Sequence, residues 1–119
     1  MKYRIAIGSR DRIQVTEHFG QCERFYIVEV DEEKNRFLPV EDRETKGNIQ
    51  CGNHMEDYIR NKIEALMDCR FVLVKQIGGQ SEKLLNHSGI TVFKYGGFIE
   101  DALKKIIKFY KKDYLQRKE

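Results

Sequence analysis

The stretch TEHFGQCER, residues 16–24, places His18 and Cys22 four positions apart around Gly20. A second stretch, CGNH, places Cys51 and His54 three positions apart. Imidazole and thiolate together suit iron, zinc, copper and iron–sulfur species. Two glycine pairs, Gly78–Gly79 and Gly96–Gly97, each precede a helical pattern. Glycine there lets backbone N–H groups approach an anion at a helix N-terminus. Arg10, Arg12, Arg24, Lys46, Lys75 and Lys94 lie near the same segments and could screen an anionic ligand. Each feature also has a plainer reading. His18 can be an ordinary loop histidine, with Phe19 tucked beneath a turn at Gly20. Cys22 can equally be a small buried hydrophobe. An isolated C-x-x-H is unspecific, with His54 merely opening a helix, and glycine pairs are common turn chemistry. Cys69, leading into an apolar run, is read as core. His87, just before Ser88–Gly89, is read as a histidine at a helix C-terminus.

The elements that must position these residues follow from hydrophobic periodicity. Strands are predicted over 3–8, 24–31 and 36–42, with DEEKN as the hairpin loop and Pro39 assigning the third strand to an edge. A helix is predicted over 54–67, with Asn53 as N-cap and Met55, Ile59, Ile63, Leu66 and Met67 on one face. RFVLVKQ is a buried strand. A short helix follows, capped by Ser81 and ended by Gly89 in the left-handed conformation. ITVFKY is the fifth strand, and a last helix runs from 98 to about 114 on the stripe Ile99, Ala102, Leu103, Ile106, Ile107 and Tyr110. The order β-β-β-α-β-α-β-α implies an α/β fold with a mixed five-stranded sheet. A meander followed by right-handed crossovers would end strands one, three, four and five at one rim. Loops 9–23, 43–54, 77–81 and 95–98 would gather there, where ligand sites of open α/β sheets lie.

The 119 residues fit one domain, 1–119. No apolar run is long enough to span a membrane, and the first residues enter a strand without a secretory h-region. The expected location is the cytoplasm. Three cysteines do not make a disulfide framework. The net charge of +3 is concentrated in the last segment, read as the solvated face of an amphipathic helix. With Phe109, Tyr110 and Tyr114 assigned to the apolar side, no aromatic platform for nucleic acid is expected.

In its motifs the chain resembles the dinitrogenase iron–molybdenum cofactor biosynthesis family, which includes NifX, NafY and the C-terminal domain of NifB. IAIGSRD…VTEHFGQCERFYIVEV resembles the family's opening strand, H-F-G turn and second strand. ALMDCRFVLVKQIGG…LLNHSGITVFKYGGFIEDALKKI resembles its later strand ending in I-G, its G-I element and its final helix. The resemblance spans residues 3–108 and implies a ribonuclease-H-like three-layer α/β/α fold. It implies a non-catalytic protein that binds, carries or stores an iron–sulfur or iron–molybdenum-type cluster between donor and acceptor proteins. His18 matches the H-F-G histidine, Cys22 stands where many members carry a small residue, and the C-G-x-H stretch resembles a cysteine-bearing segment. The candidate ligands are therefore His18, Cys22, Cys51 and His54, with Arg24, Gly78 and Gly79 meeting the cluster's charge. The competing readings are a metal-free interaction module and a ribonuclease-H-like nuclease. The nuclease would need several carboxylates around two metal ions, and strand one offers none at its centre.

Overall fold

The computed structural model describes residues 2–45 and 55–118. Five strands and three α-helices follow one another as β1 (Lys2–Ile7), β2 (Arg24–Asp31), β3 (Arg36–Glu44), α1 (Met55–Glu64), β4 (Phe71–Val74), α2 (Gly79–His87), β5 (Thr91–Lys94) and α3 (Ile99–Lys118). They form one mixed sheet in the order β3-β2-β1-β4-β5. The pairs β1/β2 and β2/β3 are antiparallel, and β1/β4 and β4/β5 are parallel. Strand alternation separates two cores. Ile5, Ile7, Tyr26, Val28, Phe71 and Leu73 face one way, onto the α3 stripe Ile99, Ala102, Leu103, Ile106, Ile107 and Tyr110. Ala6, Phe25, Ile27, Val72 and Val74 face the other way, onto Ile63 of α1, Leu66 in the turn after it and Leu85 of α2. The sheet is thus sandwiched between helices, and each fully buried Leu or Ile contributes roughly 1.5–3 kcal/mol.

Strand β3 lies at the sheet edge, as Pro39 requires, since proline cannot donate to a ladder. The pairing jumps from Ile27↔Glu41 to Val28↔Pro39, a bulge that leaves Val40 unopposed. Across the sheet face, Arg43 grips Asp68 with two hydrogen bonds of 2.6 and 3.1 Å and the Ala65 carbonyl with a third of 3.1 Å. Arg4 adds a bond of 3.0 Å to the same carboxylate. This network clips the edge strand to the turn after α1 and holds the Asp68 carboxyl well below its usual range, at about 2.

Three local expectations change. Helix α1 ends at Glu64, not 67, and tight bonds from Leu66 to Ile63 and from Met67 to Glu64 close the following turn. That tightening rotates Met67 outwards, where it is 52% exposed, while Leu66 stays in the core. Helix α2 begins at Gly79 with Gly78 as its cap, so Ser81 is a buried residue of the first turn and not the N-cap. Phe109 is half-exposed, meeting Phe93 edge-on at 5.2 Å. Gly89 ends α2 at φ +86°, the left-handed conformation expected for it. Asn53 lies outside the described residues.

Candidate functional site

The parallel ends of β1, β4 and β5 share one rim, and the segment from Gly8 to Glu23 is laced across it. Gly8 donates to the Leu73 carbonyl at 2.8 Å, and its own carbonyl accepts the Thr16 and Glu17 amides at 3.0 and 3.1 Å. The fold-back is tight: a Cβ on Gly8 would stand 3.1 Å from the Glu17 side chain and 3.2 Å from Val74. Asp11 organises the outer turn by accepting the Ile13 and Gln14 amides at 2.8 and 2.9 Å. Those bonds hold its carboxyl below the usual range. The chain then meets two other loops. Val15 donates to Gly97, Ile99 donates to Ile13, Lys75 donates to Glu17 at 2.9 Å, and Phe19 donates to Gln76 at 2.9 Å.

His18 is therefore paired alongside Gln76 in a parallel bridge, two residues before Gly78. Its backbone is extended and its side chain is exposed. Among the described residues its ring makes no hydrogen bond. After it, Phe19–Gln21 form one turn of 3₁₀ helix, and Phe19 is fully buried beneath. Gly78 and Gly79 are exposed on the adjoining loop, and nothing lies within 4 Å of where a Cβ would stand at either. The rim thus brings His18 next to the open backbone that starts α2.

Cys22 lies elsewhere. It is 1% exposed, packs in the core with Phe19, Phe25 and Leu66, and donates its S–H to the Arg24 carbonyl at 3.2 Å. Burial pushes its thiol up to about 11, which favours the neutral form over the thiolate a metal requires. Although it is close to His18 in sequence, its sulfur faces inwards. Cys69 is also in the core, with its thiol pushed up by burial to about 12. Arg24 lies at the start of β2 and is committed to Glu44 at 2.7 Å. The other rim cations are mostly paired as well: Arg10 with Glu17 at 3.0 Å, Arg12 with Asp42, and Lys94 with Glu82 at 3.5 Å. Lys75 lays its stem along Gly96. Cys51, His54 and Lys46 lie outside the described residues. The last described residue before them, Thr45, is tied to this rim by its amide, which donates to the Glu23 carbonyl at 2.8 Å. Among the described residues, no three His, Cys, Asp or Glu side chains gather as a metal-binding group.

One residue that periodicity alone passes over is Lys62. It is fully buried and donates from Nζ to the carbonyls of Phe19 at 2.7 Å and Gly20 at 3.3 Å. The rings of Phe19, Tyr58 and Phe25 surround the ammonium at 5.1, 5.2 and 5.8 Å. Burial lowers its pKa, partly offset by Cys22 and Glu23. The sequence signal was a lysine inside the apolar stripe Tyr58, Ile59, Ile63, Leu66.

A helix-flanked mixed sheet with the exposed His18 beside its parallel strand ends defines the class: a small α/β domain. The chain belongs to the dinitrogenase iron-molybdenum cofactor family, whose sequence profile matches residues 1–108. It is 32% identical over 114 residues to the FeMo cofactor biosynthesis protein NifB of Herbaspirillum seropedicae, covering 95% of this chain and 21% of NifB. It is 32% identical over 93 residues to Protein NifX of Rhodobacter capsulatus, covering 76% of this chain and 58% of NifX. Among solved structures, PH0822 matches with a TM-score of 0.65 and 25% identity, covering 88% of this chain and 90% of that one. The chain thus spans about a fifth of the length of the NifB relatives.

Proposed function

We propose that this chain binds and carries an iron–molybdenum-type or iron–sulfur cluster as cargo in cofactor biosynthesis, without catalysing a reaction on it. The observation that carries the reading is His18: an exposed imidazole, free of hydrogen bonds among the described residues, on a backbone fixed beside Gly78–Gly79. The family likeness to NifX and NifB supplies the cargo class. In this reading His18 donates to one metal of the cluster, and the open backbone of the Gly78–Gly79 turn meets the cluster's negative charge. Cys51 and His54, further along the chain from the rim-tied Thr45, are the proposed second donor pair. Cys22 is assigned to the core and Arg24 to its pair with Glu44. A site with few protein donors suits a cargo that must be handed from donor to acceptor proteins. The layered sheet is taken as ribonuclease-H-like, and the cytoplasm as the working compartment. Among the described residues, no helix is long and apolar enough to cross a membrane.

The test is anaerobic titration with isolated iron–molybdenum cofactor, followed by visible absorption and co-elution on gel filtration. Wild type takes up the cofactor, and His18→Ala lowers its affinity at least about tenfold, the loss of one metal–donor interaction. Equal uptake by wild type and His18→Ala refutes the assignment. The second reading, a metal-free interaction module, is favoured by the exposed Ile13 and Phe98 on the same rim, 59% and 52% accessible. It predicts no cofactor uptake by wild type.

A further inference from the structure

We propose that Lys62 is the positioning residue of the His18 loop, held in the fold for the geometry of that loop and not for global stability. The inference rests on reading His18 as the donor. Lys62 projects from α1 into the space beneath the 3₁₀ turn and reaches two consecutive carbonyls, Phe19 and Gly20, with one ammonium. Peptide units are planar, so turning both carbonyls inwards fixes the Phe19–Gly20 and Gly20–Gln21 planes, the two that follow the His18–Phe19 unit. On the other side, the Phe19 amide is fixed by Gln76. The imidazole thus emerges from a backbone clamped from below by Lys62 and from the side by the loop after β4.

The arrangement is costly as a stability device. A fully buried ammonium loses its hydration, and among the described residues no carboxylate forms an ion pair with it. Two carbonyl hydrogen bonds and three ring faces offset part of that loss. Methionine has a similar unbranched stem and no charge to desolvate, so the substitution removes the burial cost of the ammonium together with its two bonds. Without Lys62 the Phe19 carbonyl still accepts the Cys22 amide at 3.3 Å, and the Gly20 carbonyl, in a bond only partly buried, belongs to an exposed residue, so the turn can adjust without opening the sheet. What the lysine secures is therefore the orientation of the turn.

Lys62→Met separates the two roles. Thermal melting, amide hydrogen exchange and anaerobic cofactor titration are compared with wild type. The expected result is a melting temperature equal to or above wild type. Exchange at Phe19, Gln21 and Cys22 is at least about tenfold faster, as expected for losing hydrogen bonds to a charged donor, with the amides of β1 and β4 unchanged. Cofactor affinity falls at least about tenfold. A variant that melts lower than wild type, or fails to fold, makes Lys62 a structural brace and overturns the proposal. Unchanged loop exchange or unchanged cofactor affinity also overturns it. If wild type takes up no cofactor, the carrier reading fails, while the exchange comparison still decides whether Lys62 orders the loop.

Discussion

The placement of Cys22 can be tested by its reactivity. It lies in the core cluster with Phe19, Phe25 and Leu66, and burial raises its thiol from 9.0 to about 11. Only the thiolate attacks iodoacetamide, and two pH units between thiol pKa values change the thiolate fraction at pH 8 by about a hundredfold. Exclusion of the reagent from a residue 1% exposed slows attack further, because the loop must first open. Alkylation at pH 8, read site by site by peptide mass spectrometry, should therefore modify Cys22 in the native chain at least about a hundred times more slowly than in urea. Cys69, raised to about 12, should be slower still. The same burial has a pH signature. The folded thiol titrates above the unfolded one, so its contribution to stability is complete below about pH 9 and is lost as pH rises towards about 11. Native-state alkylation of Cys22 within tenfold of its rate in urea would show the sulfur to be at the surface, and would return it to the set of candidate donors.

Two further outcomes test the frame around the site. Asp68→Asn removes the carboxylate gripped by Arg43 and Arg4. Because that side chain is 43% exposed and screened by solvent, urea denaturation at pH 7 should show a loss of about 1 kcal/mol. The Asp68 contribution is present above pH 3.8 and is lost as pH falls towards 2, so wild type and variant should converge across that window. Gly89→Ala forces a side chain into φ +86° at the end of α2 and should cost about 1–2 kcal/mol by the same measurement, with space around the new methyl group.

Much of the frame is legible from the residues because its signals are local. Alternation in YRIAI and FYIVEV fixed which side chains face each core, and Pro39 marked the edge strand. The α3 stripe reads directly from its spacing. The end of α1 was less legible, because ALMD carries a good helical pattern up to Met67, and only the tight bonds after Ile63 turn Met67 outwards. Ser81 looked like a cap because serine commonly is one, whereas the chain enters α2 three residues earlier at Gly78. At the rim, His18 was visible as a residue type, but the depth of Cys22 was not: a thiol reads the same as donor or as core filler until its neighbours are known. Lys62 was hidden for the opposite reason. A lysine on a helix is taken for a solvated position, and only the loop folded over it shows that its stem and head are enclosed.

The bridge between His18 and Gln76 has a kinetic consequence. The bridge ties the His18 backbone to the loop after β4, so its Cα moves with the sheet while the exposed ring keeps its own side-chain rotations. Should a cluster be held there, its side away from the sheet would stay uncovered, open to an incoming donor from the recipient that displaces nitrogen at the metal. Transfer by that route would be a bimolecular substitution, accelerating in proportion to recipient concentration.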